Sequence, residues 1–200
     1  IYDETLETTK EAITKYLLTY DPDVAMVGDH LAGEGRGMEA IAPTFIDWPG
    51  RTGTKLDVNS LMQFLEFPIL EDDDFDMFFS DRTGWKLHKS MPLLSELCKP
   101  LENLQIPLSH GGHIKGLISA FSTPEMQEML KKFWELDAFF KDMAKRKAAL
   151  YREIAELGYP MMGGGSASVP FDDYSDQLRG TLLSLTDLYE HPDEIESFIN

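Results

Sequence analysis

Thiol is nearly absent from this chain, and cations fall well short of its acids. Cys98 is the sole cysteine in 200 residues. No internal disulfide can form, and a reducing, cytoplasmic setting is expected. Lys and Arg number 18 against 35 Asp and Glu, a net charge of -17. That balance argues against a nucleic-acid partner, whose phosphates would be repelled. The acidity itself reads first as a solvated surface, with a basic partner as the other reading. No apolar run is long enough to span a bilayer, so no membrane partner is expected. The first residues, Ile1-Tyr-Asp-Glu-Thr-Leu, are acidic and amphipathic, unlike a signal peptide. Internal repeats and low-complexity tracts are also absent. What is present fits a globular chain: 42% hydrophobic and 11% aromatic residues, enough for one domain over 1–200 with a real core. The chain opens inside a helical pattern without Met and stops inside another, at Ser197-Phe-Ile-Asn200. A segment of a longer protein, incomplete at both ends, is therefore expected.

Hydrophobic spacing places a helix over 4–20, with Leu6, Ala12, Ile13, Tyr16, Leu17 and Tyr20 on its apolar side. Asp21-Pro22 ends it, because proline disfavours helix in the residue before it. Val24 to Val27 is a continuous apolar run, as in a strand buried on both faces. Residues 28–60 read as a long loop with a turn at Trp48-Pro49-Gly50. Residues 58–67 read as a short helix or a lid, and a short helix follows over 73–80. A helix over 84–104 is broken near Pro92 and Pro100. Thr123-Pro124-Glu125 is a strong helix start, and that helix should run to a glycine cap at Gly158. Its apolar side includes Met126, Met129, Phe133, Ala144, Tyr151 and Ile154. Tyr159 to Met162 reads as a second short strand entering Gly163-Gly-Gly165. Helix, short turn and buried strand form the half-unit of an α/β fold.

Two stretches could carry chemistry. In Val24-Ala-Met-Val-Gly-Asp29-His30 an apolar run delivers a carboxylate, as strands do at the carboxyl-end face of an α/β barrel. Asp29 could accept N–H donors or a proton there; it could also simply cap a loop. His30 could carry protons, although strand alternation points it away from Asp29. In the second stretch, Gly163, Gly164 and Gly165 let backbone N–H groups approach a ligand. Ser166 and Ser168 could donate to a substrate carboxylate, and Tyr174 follows close by. The alternative is a tight strand-to-helix turn. No phosphate-binding loop ending and no nucleophile elbow is present. His110 and His113 could reach one metal, but with a single thiol in the chain they read as two loop histidines. Asp172, Asp173 and Asp176 fit an acidic helix start after Pro170. Trp48, Trp85 and Phe171 fit packing.

Val27-Gly-Asp29, Gly37-Met-Glu39, Trp48-Pro-Gly50 and the run from Gly163 to Pro192 resemble the uroporphyrinogen decarboxylase family, which includes corrinoid-linked methyltransferases. The resemblance spans the chain from about residue 20 onward. It implies a (β/α)8 TIM barrel, of which this chain would be the early portion, with long helices and a long loop insertion. It implies that Asp29 contacts the pyrrole N–H groups of a tetrapyrrole. His30, Gly163, Gly164, Gly165, Ser166, Ser168 and Tyr174 would line the substrate. The family's active-site tyrosine falls on Asp176, its arginine pair before residue 1, and its histidine and zinc ligands after residue 200. Methyl transfer involving a corrinoid protein is thus the implied role. Tetrapyrrole decarboxylation and a non-catalytic tetrapyrrole- or corrinoid-binding barrel are the alternatives. Zinc and a corrinoid would be cofactors of the longer protein, with none held by residues 1–200.

Overall fold

The computed structural model describes residues 1–25, 31–106, 113–162 and 167–199. Its elements, in chain order, are α1 (Glu7–Tyr20), α2 (Gly35–Ile41), β1 (Ile46–Asp47), β2 (Gln63–Phe64), α3 (Phe75–Ser80), α4 (Arg82–Trp85), α5 (Met91–Leu94), α6 (His113–Phe121), α7 (Pro124–Glu156), α8 (Pro170–Tyr174), α9 (Gly180–Glu190) and α10 (Pro192–Ile199). They form two compact units, residues 1–40 with 131–166, and residues 41–130 with 167–200.

The barrel expectation is overturned. A (β/α)8 barrel needs parallel strands alternating with helices. The described residues hold one two-stranded sheet, antiparallel, pairing Ile46 with Phe64 and Asp47 with Gln63; the rest of the regular structure is helical. Both of these strands fall in segments expected to be loop, short helix or lid. Among the described residues, the two runs expected to be strands contribute a single isolated bridge, Ala25 facing Met161. Runs that short cannot supply the continuous ladder of a closed sheet.

In the first unit, α1 starts under Asp3, whose Oδ2 accepts from the Thr9 N–H at 3.0 Å. Burial raises the Asp3 carboxyl, but the bonds from Thr9 and Thr5 outweigh it and hold it below the usual range. Asp21, in the left-handed region at φ 43°, ends the helix where Pro22 requires. Leu17, with Leu6, Ala25, Leu150 and Ile154, makes the core. Tyr16 and Tyr20, expected on the apolar side, stay exposed and pack on each other at 5.1 Å. The later part of α7 buries Met143, Lys147, Leu150 and Ile154, a spacing close to 3.6 residues. Lys147 can lie in that stripe because its amine meets Glu34 at 2.6 Å. The long helix itself forms as its start signals predict, over 33 residues. The Thr123 hydroxyl accepts from the Met126 N–H, and Gly158 follows the helix at φ 98°.

The second unit has two apolar clusters. One gathers Leu70, Phe75, Phe78, Trp85, Tyr174 and Ile195; the other gathers Cys98, Leu101, Met126 and Met129. The expected helix broken at its prolines is α4 and α5 joined by a π-helical stretch, Lys86–Ser90. Pro92 has no N–H to donate one turn back, and a wider turn just before it accommodates that loss. Pro100 lies within a 3₁₀ turn, Glu96–Leu101. Trp48 and Trp85 are buried as expected. The Arg51 guanidinium lies 4.8 Å from the Trp48 ring and donates to the Pro43 carbonyl at 2.7 Å.

Candidate functional site

The segments that lead into the two chemistry-bearing stretches meet in the first unit. Ala25 and Met161 form a parallel bridge. The Ala25 N–H donates to the Pro160 carbonyl at 2.9 Å, and the Met162 N–H donates to the Ala25 carbonyl at 3.2 Å. Two segments thus run side by side in the same direction. In sequence, one continues toward Asp29 and the other toward Gly163. Asp29, His30, Gly163, Gly164, Gly165 and Ser166, like His110, lie outside the described residues. Tyr159 braces the pair from the side: its hydroxyl lies 3.0 Å from Asp21 Oδ1 and 3.2 Å from the Leu17 carbonyl. Loss of solvation, then that carboxylate, push the Tyr159 hydroxyl up from its ordinary value.

Ser168 and Tyr174 belong to the second unit. The Ser168 hydroxyl is exposed and donates to Asp173 Oδ2 at 2.6 Å, bracing the start of α8. Tyr174 is fully buried, and its hydroxyl donates to Asp187 Oδ2 at 2.7 Å. That bond is one edge of a buried polar network that the sequence reading missed. Arg179 donates from Nε to Asp187 Oδ2 at 2.6 Å and from Nη2 to Oδ1 at 2.7 Å, a two-pronged grip. It also donates from Nη1 to the Leu70 carbonyl and from Nη2 to Asp72 Oδ1, both at 2.7 Å. The guanidinium carbon lies 5.1 Å from the Phe75 ring centre. Gly180, next in the chain, has φ 77° and ψ 162°, a region open almost only to glycine. This kink ends the π-helical stretch Ser175–Arg179 and starts α9.

Burial alone would raise the Asp187 carboxyl, but Arg179 and Tyr174 overcome that and hold it below the carboxylate range. Burial also lowers Arg179, and Asp187 with Asp72 more than restores it. Tyr174 is pushed well above the usual phenol value by burial, then by the neighbouring carboxylate. The network is therefore fixed as carboxylate, guanidinium and neutral phenol across the neutral range. A general acid or base needs a pKa near the working pH, so these groups are a structural clasp. Asp72, Asp187 and His191 lie close enough to share a cation. Both carboxylates, however, already hold Arg179, whose fixed positive charge a metal would have to displace. The described residues do not fit zinc elsewhere either. The single thiol, Cys98, is pushed up by burial, a shift its bond with Ser95 only partly offsets, and it sits in an apolar cluster. A thiol in that state is a poor ligand, since metals take the thiolate.

No helix among the described residues is long and apolar enough to cross a membrane. No family model, curated protein or solved structure matches the chain.

Proposed function

We propose that the first unit carries the ligand pocket of an enzyme acting on a tetrapyrrole-type molecule, with corrinoid-linked methyl transfer as its reaction. The observation behind this reading is the parallel pairing of Ala25 with Met161. It sets side by side the two segments whose sequence continuations hold Asp29 and Gly163 to Ser166. Parallel neighbours leave their pairing at the same end, so the two continuations start from the same side of the bridge. A carboxylate is suited to positive charge that develops during reaction and, in the decarboxylation alternative, to the pyrrole N–H donors of a metal-free ring; corrin nitrogens, held by cobalt, offer none. Flexible glycines let backbone N–H groups meet the ligand's acceptors.

The test is Asp29→Asn in the intact protein, assayed under anaerobic conditions with methylcobalamin as methyl donor and a small thiol as acceptor, so that the thiolate takes the methyl as a thioether and cobalamin is left as cob(I)alamin. The amide keeps the shape and removes the charge. Removal of one preorganised electrostatic contact lowers kcat by about 10²–10³-fold, while the urea midpoint should stay near that of the parent. Unchanged turnover would remove Asp29 from the mechanism. Carbon dioxide released from uroporphyrinogen, without methyl transfer, would identify decarboxylation instead. A visible-band shift with uroporphyrin but no turnover would identify a binding protein.

A further inference from the structure

The second unit contains a cavity of about 370 Å³ that the clasp does not use. Phe45, Phe64, Phe67 and Leu94 line it, as do the acidic residues Glu66 and Asp176. The short sheet builds this arrangement. Phe64 pairs with Ile46 across the ribbon, and the Leu65 N–H donates to the Phe45 carbonyl at 2.7 Å. Glu66 is then held against the start of α9, where it accepts the Thr181 N–H. This bond also lowers the Glu66 carboxyl, so the group stays ionised. Gly180 leaves room for it: a Cβ there would stand 3.1 Å from Glu66 Oε1, and the carboxylate would have to give by a few tenths of an ångström.

The chemistry of the walls selects a ligand class. The volume falls in the range of small-molecule sites. Aromatic faces are electron-rich and attract cations. Two carboxylates add negative charge, and no Lys, Arg or His is among the described lining residues. An anion would meet repulsion with no compensating donor charge. A neutral apolar molecule could use the walls but would ignore the carboxylates. Phe64 is 70% exposed, a large apolar ring left in water at the mouth, and a ligand body would cover it. We infer that this cavity binds a small organic cation with an apolar body, an alkyl- or arylammonium ion. The inference is independent of the role proposed for Asp29.

The test uses probes that share one body and differ in charge: 4-phenylbutylammonium, 4-phenylbutanol and 4-phenylbutanoate, titrated into the protein by calorimetry. Methylammonium controls for attraction to the acidic surface as a whole. The arylammonium should saturate at one site and bind about fivefold or more tighter than the alcohol. The carboxylate and methylammonium should not saturate. Phe64→Ala removes an exposed ring, leaves the core intact, and should weaken the arylammonium. Glu66→Gln retains an acceptor for the Thr181 N–H and should bring the ammonium and alcohol affinities together. Equal affinity of ammonium and alcohol for the unmutated protein would overturn the inference. So would binding insensitive to both substitutions, saturation by methylammonium alone, or no saturable arylammonium binding.

Discussion

Breaking the clasp should expose how strongly the second unit depends on neutralising its buried charges. Asp187 is 1% exposed and Arg179 is 2% exposed. The Asp187 carboxylate takes three hydrogen bonds, two from Arg179 and one from Tyr174. In Arg179→Met, that carboxylate keeps only a neutral phenol. In Asp187→Leu, the guanidinium keeps a carbonyl and Asp72, an exposed partner at the edge. Removing one member of a buried pair costs about 3–5 kcal/mol, chiefly from the charge left behind. The double variant has no stranded charge. It should cost no more than either single variant, giving a coupling of about 3 kcal/mol or more. At about 2–4 °C per kcal/mol for a chain of this size, each single variant should melt about 6–20 °C lower. Urea unfolding followed by tryptophan emission suits the test. Trp48 and Trp85 are buried in the second unit, whereas Trp134, in the first, is 72% exposed. Single variants within about 1 kcal/mol of the parent, or strictly additive losses, would refute the reasoning.

Three further outcomes follow from the packing and the titrations. Gly180→Ala places a side chain in a glycine-only backbone region against Glu66; it should lose about 1–3 kcal/mol, measured by thermal melting. Leu17→Ala opens the first unit's core, where Leu17 is 1% exposed, at about 2–5 kcal/mol by urea titration. Stability should also fall at both pH extremes. The folded Asp187 carboxyl lies below its unfolded value of about 4, so its contribution is complete above that value and disappears as pH falls through the folded one. The folded Tyr174 hydroxyl lies above its unfolded value of about 10; its contribution is complete below that value and is lost as pH rises toward the folded one. Tyr174→Phe should therefore flatten the alkaline limb of a pH–stability profile and only shorten the acid limb, whose larger part Arg179 sets.

Local signals predicted local structure well. The Thr123-Pro124 start and the Gly158 stop bound α7, and Asp21-Pro22 ends α1, because caps and prolines act over three or four residues. Sheet membership depends on partners far along the chain, and there the reading failed. Val24 to Val27 and Tyr159 to Met162 look like barrel strands by composition. Short apolar runs cannot be told from other buried segments by pattern alone. The network was invisible for a similar reason. Asp187 reads as a helix residue and Arg179 as a solvated cation until Gly180 kinks the chain between them. The one available hint was the solitary cation among eight acids in residues 167–200. The Lys147–Glu34 pair is hidden in the same way, since nothing in the sequence around Lys147 announces Glu34.

Charge sets the remaining constraint on what the two proposed sites can bind. In the first unit, Lys10, Arg36, Lys131, Lys141, Arg146 and Lys147 each lie within ion-pair distance of a carboxylate. Their charge is largely spent inside the chain, against a net -17. A tetrapyrrole bearing acidic side chains would therefore approach an unfavourable field, and under the proposed function its recognition would fall on the ring N–H groups. Screening weakens long-range repulsion and attraction alike; the Debye length shrinks from ~10 Å at ~0.1 M salt to ~3 Å at ~1 M. Uroporphyrin binding should thus tighten as sodium chloride rises over that range, while arylammonium binding at the phenylalanine cavity should loosen. Opposite slopes in one preparation would assign the two ligands to sites of different electrostatic character. Slopes of the same sign would show that the field around at least one site has been misread, because a shared negative potential cannot favour both ligands by the same mechanism.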